Sequence, residues 1–185
     1  SVLGEPVTEW DIATTALPEA VATRAKAKGW KVVPTGIEHG TVTVVVGGQP
    51  FEVTTLREDI ETDGRRAVVR FGRDFRTDAL RRDFTMNALS VGRDAVLHDY
   101  ADGLSNIEAR RVRFIGDPDR RIAEDYLRIM RLFRFHARYG HGPIDPPGMA
   151  AAIRGRAGLA RLSKERIRGE TQKLLLAKEA PSVIA

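Results

Sequence analysis

Hydrophobic and β-branched residues dominate two short stretches, residues 41–46 and 51–55, and predict two β-strands there. The intervening residues, Gly-Gly-Gln-Pro at 47–50, are typical of a hairpin turn. No Gly-Lys-Ser/Thr follows these glycines, so a phosphate-binding loop is not indicated. Alternation along the second strand places Glu52 on the face opposite the apolar residues.

The remaining pattern divides the chain into a mixed part and a helical part. Before Gly116 we predict helices at 16–29 and 77–89, and strands at 68–71, 95–98 and 112–115, the last two paired around a turn at 101–103. After Gly116 we predict helices at 118–139, 147–156 and 164–177. Asp117 and Ser163 are placed to cap the first and last of these, and Gly140 to end the first. The fold class is therefore α+β, with a mixed β-sheet domain over residues 1–115 and a helical portion over residues 116–185.

Composition narrows the partners that the chain can have. The 185 residues carry a net charge of +5, mostly as an excess of arginine, which favours a polyanionic partner. There is no cysteine, so disulfides and cysteine-built metal sites are excluded. No apolar run approaches the length of a membrane span, and no signal peptide is visible, so we expect no membrane association and a cytoplasmic location.

An acidic pair near the start of the chain is a candidate metal site. Glu9 and Asp11 stand two residues apart, and on a strand their carboxylates point to the same side, about 7 Å apart. Hard carboxylate oxygens suit Mg²⁺, and Glu52 is a candidate third acid facing the pair. Acidic pairs are also common on solvent-facing strands, which is the alternative interpretation.

A second cluster, Arg-Arg-Asp-Phe-Thr-Met-Asn-Ala-Leu at 81–89, combines arginine with polar side chains. On a helix Asp83 and Asn87 are i,i+4 partners. Arg82 is suited to neutralise a triphosphate or to position its sugar, and Asn87 to hydrogen-bond the same ligand. A helix with its apolar residues in the core and its charges in water is the alternative.

The predicted helix at 118–139 carries Arg121, Asp125 and Arg128 on one face. Cytosine and adenine offer an exocyclic amino donor beside a ring-nitrogen acceptor. Asp125 would accept from the amino group and Arg128 would donate to the ring nitrogen, whereas uracil and guanine present the reverse order. An ordinary surface ion pair, worth a few tenths of a kcal/mol, is the alternative.

A further set of arginines precedes and enters this helix. They are Arg110, Arg111, Arg113, Arg120 and Arg121. Binding along an RNA backbone and a basic face exposed to solvent are equally consistent with this set.

These motifs, taken in their order along the chain, resemble those of the class II tRNA nucleotidyltransferases (CCA-adding enzymes) and bacterial poly(A) polymerases. The matching stretches are Leu-Gly-Glu-Pro-Val-Thr-Glu-Trp-Asp-Ile-Ala-Thr (3–14), Gly-Ile-Glu-His-Gly-Thr-Val (36–42), Phe-Glu-Val-Thr-Thr-Leu-Arg (51–57), the 81–89 cluster, Glu-Asp-x-Leu-Arg (124–128) and Leu-Ser-Lys-Glu-Arg-Ile-Arg (162–168). The pair of blocks at 81–85 and 124–128 is the most specific part of the resemblance.

The resemblance implies a small nucleotidyltransferase head sheet followed by a helical neck and the start of a body. It implies template-independent addition of CCA to the 3′ end of tRNA from CTP and ATP, with Mg²⁺ held by Glu9, Asp11 and Glu52 and with Glu9 and Asp11 catalytic. The nucleotide-binding residues that we predict are Arg82, Asp83, Asn87, Arg121, Asp125, Arg128 and Arg131.

Three features depart from the family pattern. Glu9 stands where aspartate is usual, and the Gly-Gly…Arg-Asp segment that normally precedes the acids is absent. The body and tail that grip the tRNA acceptor stem in the family are missing after residue 185. We therefore expect this chain to be part of a longer protein, without its phosphate-binding segment and without the body and tail beyond residue 185. A poly(A) polymerase and a non-catalytic RNA-binding relative are the alternative functions.

Overall fold

The computed structural model describes residue 4, residues 10–62 and residues 67–184. They form two compact units, the first mainly Leu3–Glu61 with Ala67–Asp78 and the second mainly Ala79–Ala185. The family resemblance places a boundary at residue 115, and that division remains a prediction. No helix in the described part of the chain combines the length and the apolar character needed to traverse a bilayer.

The first unit is built on a four-stranded sheet. Its strands are β1 (Asp11–Thr14), β2 (Lys31–Gly36), β3 (Thr41–Val46) and β4 (Gln49–Thr55), in the spatial order β1-β4-β3-β2. β1 runs parallel to β4, whereas the β2–β3 and β3–β4 pairs are antiparallel. Helix α1 (Pro18–Ala27) packs on β2 and β3, and β5 (Arg57–Thr62) pairs with β6 (Ala67–Phe71).

The turn between β3 and β4 is the predicted hairpin. Gly47 and Gly48 have φ values of 59° and 86°, and Val46 pairs with Gln49 across the turn. Two consecutive positive φ angles are required by a type I′ turn, which glycine adopts without steric cost. The hairpin fixes the register of β4 and therefore where Glu52 lies in the sheet.

The second unit is mainly helical. Its elements are α2 (Phe75–Leu80, which begins in the first unit), the short strands β7 (Ser90–Val91) and β8 (Leu97–His98), and the helices α3 (Gly103–Glu108), α4 (Pro118–Glu124), α5 (Leu127–Tyr139), α6 (Pro146–Gly155), α7 (Lys164–Leu175) and α8 (Ala180–Ile184). Its core includes Phe84, Phe114, Ile122 and Leu132, each at most 2% exposed. Ser163 caps α7, as predicted, by accepting a hydrogen bond from the Arg166 N–H.

The predicted helix at 77–89 is wrong beyond Leu80. Helix α2 ends at Leu80, and Thr85–Ala88 is a separate 3₁₀ turn. Between them Phe84 forms an antiparallel bridge with Phe114, and the backbone N–H of Thr85 donates to the Arg113 carbonyl at 2.9 Å. This long-range backbone pairing outweighs the local helical propensity.

The predicted strand pair at 95–98 and 112–115 is also wrong. Strand β8 pairs with β7 instead, and α3 follows where the turn was expected. The Asp99 carboxylate accepts hydrogen bonds from the N–H groups of Gly103 and Leu104, both at 2.9 Å, and so stabilises the start of α3.

The predicted continuous helix at 118–139 is interrupted. Helix α4 ends at Glu124, and Asp125 is extended, with φ −158° and ψ 108°. The Asp125 carboxylate accepts a hydrogen bond from the Leu127 N–H at 3.1 Å, which supports the first turn of α5. Arg121, Asp125 and Arg128 therefore do not share one face of a single helix.

Candidate active site

Two of the predicted metal acids lie side by side in the head sheet. Asp11 on β1 and Glu52 on β4 are register partners in the parallel pair, so their side chains leave the same face of the sheet. Adjacent strands are about 4.8 Å apart, which allows two carboxylates to approach one ion. Both residues are exposed. Glu9, the third predicted acid, lies outside the described residues.

The donor chemistry of this pair fits a hard divalent cation. Carboxylate oxygens are the ligands that Mg²⁺ prefers, and Mg²⁺ is often held by only one or two of them with water completing the shell. Within the residues that the structure describes, no group of three or more histidine, cysteine or acidic side chains forms a fuller cage. Asp11 and Glu52 are therefore candidate ligands for such an ion.

The cluster at 81–89 takes part in several hydrogen bonds within the second unit. Arg82 donates through Nη1 to the Asn87 carbonyl at 2.9 Å. The Asn87 side chain donates to Asp83 at 2.8 Å, so the expected i,i+4 contact forms although these residues are not in one helix. Arg131 donates to the other oxygen of Asp83 at 2.6 Å. Asp83, Asn87 and Arg131 thus form one hydrogen-bonded group, and their predicted roles in nucleotide binding remain predictions.

The environment of Asp83 favours its charged form. Burial alone would raise the pKa of this carboxyl group, but the Arg131 guanidinium and the hydrogen bonds from Asn87 and from the Phe84 N–H outweigh burial and hold the pKa below its usual range. A carboxyl group with a depressed pKa in the folded state stabilises the fold above its unfolded-state pKa of about 3.9.

We expect Asp83→Asn to lower the free energy of unfolding by about 2 kcal/mol at pH 7, because Arg131 loses a charged hydrogen-bond partner. The difference from the unaltered protein should stay constant from neutral pH to about pH 5. It should then shrink below about pH 4 as the carboxyl is protonated. Urea unfolding across this pH range measures it, with the exposed Asp102→Asn as the matched control. A difference that persists undiminished at pH 2 would contradict the assignment.

A second group of charges surrounds the break between α4 and α5. Glu124 forms ion pairs with Arg128 and, at 3.1 Å, with Arg121, and all three side chains are 16% exposed. Arg121 also donates to the carbonyls of Ile115 and Leu80, at 2.9 and 2.6 Å. The protein itself therefore engages much of the Arg121 guanidinium, and its predicted role in nucleotide binding remains a prediction.

Asp125 forms its ion pair with an arginine of a later helix and not with Arg128. Its Oδ2 accepts a hydrogen bond from Arg166 of α7 at 2.7 Å, whereas Arg128 is paired with Glu124. The alternative interpretation, a direct ion pair between Asp125 and Arg128, is therefore not observed, because each residue pairs with another partner. The residues still lie close together, since the Arg128 N–H donates to the Asp125 carbonyl at 3.0 Å.

Three charged residues form ion pairs in this region, and our sequence interpretation did not single them out. Glu124 and Arg166 secure the two predicted base-reading residues. Glu170 on α7, 5% exposed, pairs with the buried Arg134 of α5 and lies 3.9 Å from Arg131. For Glu124 a signal existed, because it precedes Arg128 by four residues, which is the favoured helical ion-pair spacing. The other two pairs join residues at least 36 positions apart, which no local pattern reveals.

Comparison with known proteins identifies the family. A profile described as "Poly A polymerase head domain" matches residues 1–113. The chain is 43% identical over 173 residues to CCA tRNA nucleotidyltransferase 1, mitochondrial, of Danio rerio, covering 92% of this chain and 40% of that protein. It is 41% identical over 186 residues to the CCA-adding enzyme of Leuconostoc citreum, covering 100% of this chain and 45% of that protein.

Among solved structures, the CCA-adding enzyme of Bacillus stearothermophilus in complex with CTP superposes with a TM-score of 0.89. Its sequence is 36% identical, and the match covers 98% of this chain and 43% of that chain. The α+β fold, with its β-sheet head and helices, is thus that of a nucleotidyltransferase head. The chain belongs to the Poly A polymerase head domain family, and the resemblance recognised in the sequence is confirmed. It spans less than half the length of each of these three relatives.

Proposed function

We propose that the protein carrying this chain adds CCA to the 3′ end of tRNA, using CTP and ATP without a nucleic-acid template. The observation that supports this most directly is the register of β1 on β4, which sets Asp11 beside Glu52 within a nucleotidyltransferase head. The names of the relatives and the CTP complex of the Bacillus stearothermophilus enzyme support the choice of reaction and nucleotide.

In this proposal Asp11, Glu52 and Glu9 hold Mg²⁺. When bound, the ion activates the 3′ hydroxyl of the tRNA and stabilises the pyrophosphate that leaves. The protein contributes the placement of the acids, because a parallel strand pair offers no freedom for their backbones to separate. It also contributes cationic groups for the triphosphate, for which Arg82 remains the predicted residue.

Selection of the base is assigned to Asp125 and Arg128. Asp125 accepts from the exocyclic amino group of cytosine or adenine, and Arg128 donates to the neighbouring ring nitrogen. Glu124 holds the Arg128 guanidinium and Arg166 holds the Asp125 carboxylate, so both groups are oriented by opposite charges within the same unit. Uracil would place an acceptor against Asp125 and a donor against Arg128, which leaves both unsatisfied.

The proposal is tested by extending a tRNA that lacks its 3′ CCA with CTP alone, ATP alone, or both, in the presence of Mg²⁺. We expect addition of two residues with CTP alone and of three residues with both nucleotides. Long adenylate tails made from ATP, with CTP ignored, would identify a poly(A) polymerase instead. Binding of the tRNA without any extension would favour a non-catalytic RNA-binding relative.

A further inference from the structure

A row of arginines on the second unit takes no part in the site described above. Arg111 and Arg113 are exposed, whereas Val112 and Phe114, which alternate with them, are each 2% exposed and belong to the core. The Arg111 N–H donates to the Asn106 carbonyl at 2.8 Å, and the Arg113 carbonyl accepts from the Thr85 N–H at 2.9 Å. The backbone of this segment is therefore held, and both arginines leave it on the solvent side.

The backbone of Arg110, which precedes these two arginines, is also held by a hydrogen bond. The Arg110 carbonyl accepts a hydrogen bond from the His141 N–H at 3.0 Å, which brings the loop after α5 next to the segment. Arg110, Arg138 and His141 are all exposed. We call Arg110, Arg111 and Arg113 the arginine strip.

The arginine strip differs in its pairing from three arginines of α5. Arg128, Arg131 and Arg134 each form ion pairs with carboxylates of neighbouring elements. Across residues 10–62 and 67–184, no carboxylate lies within salt-bridge distance of an arginine in the strip. The guanidinium groups of the strip are thus available to an external anion.

The spacing indicates what kind of anion fits. Two residues along an extended segment are about 6.5 Å apart, a separation comparable with that of neighbouring phosphates on one nucleic-acid strand. The guanidinium fork matches the oxygens of a phosphodiester and binds them in a bidentate manner. We propose that the arginine strip binds consecutive phosphates of the RNA backbone. The choice of RNA rests on the proposed function, in which tRNA is the substrate.

The test measures binding of this chain to tRNA over a range of salt concentrations without nucleotide, so that it does not depend on catalysis. The variant is Arg111→Gln with Arg113→Gln. The control is Arg156→Gln with Arg168→Gln, which removes the same charge from exposed positions elsewhere in the unit. Both arginines of the strip segment are exposed, so melting temperatures should match that of the unaltered protein.

We expect the strip variant to bind tRNA about tenfold more weakly or worse, and its plot of log affinity against log salt to lose about one unit of slope for each phosphate contact. The control should keep the original slope. Equal losses in both variants would mean that only net charge matters and would overturn the inference. A further comparison uses poly-glutamate of matched charge. If the strip variant loses as much affinity for poly-glutamate as for tRNA, the strip binds any polyanion and the inference is overturned. Binding to tRNA that depends on the strip, together with no extension by the protein that carries this chain when CTP and ATP are added, would instead refute the proposed function alone.

Discussion

Replacing Asp11 by alanine is expected to reduce nucleotide transfer to tRNA by about a thousandfold or more, roughly 4 kcal/mol in activation free energy. Asp11 lies in register with Glu52, so its removal takes away one of two adjacent carboxylate ligands. Stability should change little, because Asp11 is exposed. Incorporation of labelled CMP into tRNA lacking CCA measures the effect. Glu38→Ala, which removes an exposed acid of the same unit outside the strand pair, is the control.

A second variant distinguishes loss of a metal ligand from other causes. In Asp11→Cys the thiolate binds Mg²⁺ poorly but accepts softer ions. This variant should be inactive with Mg²⁺ and should recover part of its activity with Mn²⁺ or Cd²⁺, whereas Asp11→Ala should not recover. Transfer by Asp11→Ala at the rate of the unaltered protein would refute the assignment of this residue to the metal site.

Replacing Asp125 by alanine is expected to relax the choice of base, lowering the preference for CTP over UTP by about a hundredfold. The carboxylate is the group proposed to accept from the amino donor that cytosine has and uracil lacks. The ratio of kcat/KM for the two nucleotides measures the effect. Asp119→Ala is a matched control, because Asp119 is also on the helical unit and also paired with an arginine of a later helix.

Arg166→Gln should change the same ratio in the same direction but by about fivefold to tenfold. The Asp125 carboxylate would lose its charged partner and keep its hydrogen bond from the Leu127 N–H. A purely structural role for Arg166 would instead lower kcat/KM for both nucleotides alike. If Asp125→Ala discriminates between CTP and UTP as well as the Asp119→Ala control does, Asp125 does not read the base.

The elements that sequence predicted well are those specified by adjacent residues. The two glycines at 47–48 define the hairpin, and β-branched residues fill the strands on either side. Helix α7 begins where Ser163 predicts, because an N-cap depends only on the next three residues. The register of β1 on β4 could not be predicted in this way, because it depends on residues that are far apart in the chain. Sequence suggested that Glu52 faces the acidic pair, but only the folded sheet shows that Asp11 is its partner.

The elements that sequence missed are those decided by distant partners. Residues 77–89 have helical periodicity, yet Phe84 pairs with Phe114, thirty positions later. The helix break at Asp125 was missed for the same reason, since its carboxylate pairs with Arg166, forty-one positions away. Periodicity describes which residues share a face if a helix forms, and it contains no information on a competing contact elsewhere in the chain.

The separate pairing of Asp125 with Arg166 and of Arg128 with Glu124 has a thermodynamic consequence. In the proposed function, both side chains are confined by these ion pairs before a base binds, so that most of their loss of conformational entropy accompanies folding rather than recognition. Discrimination between bases should therefore persist on warming for as long as α4, α5 and α7 stay folded. It should then disappear together with them, in one cooperative step.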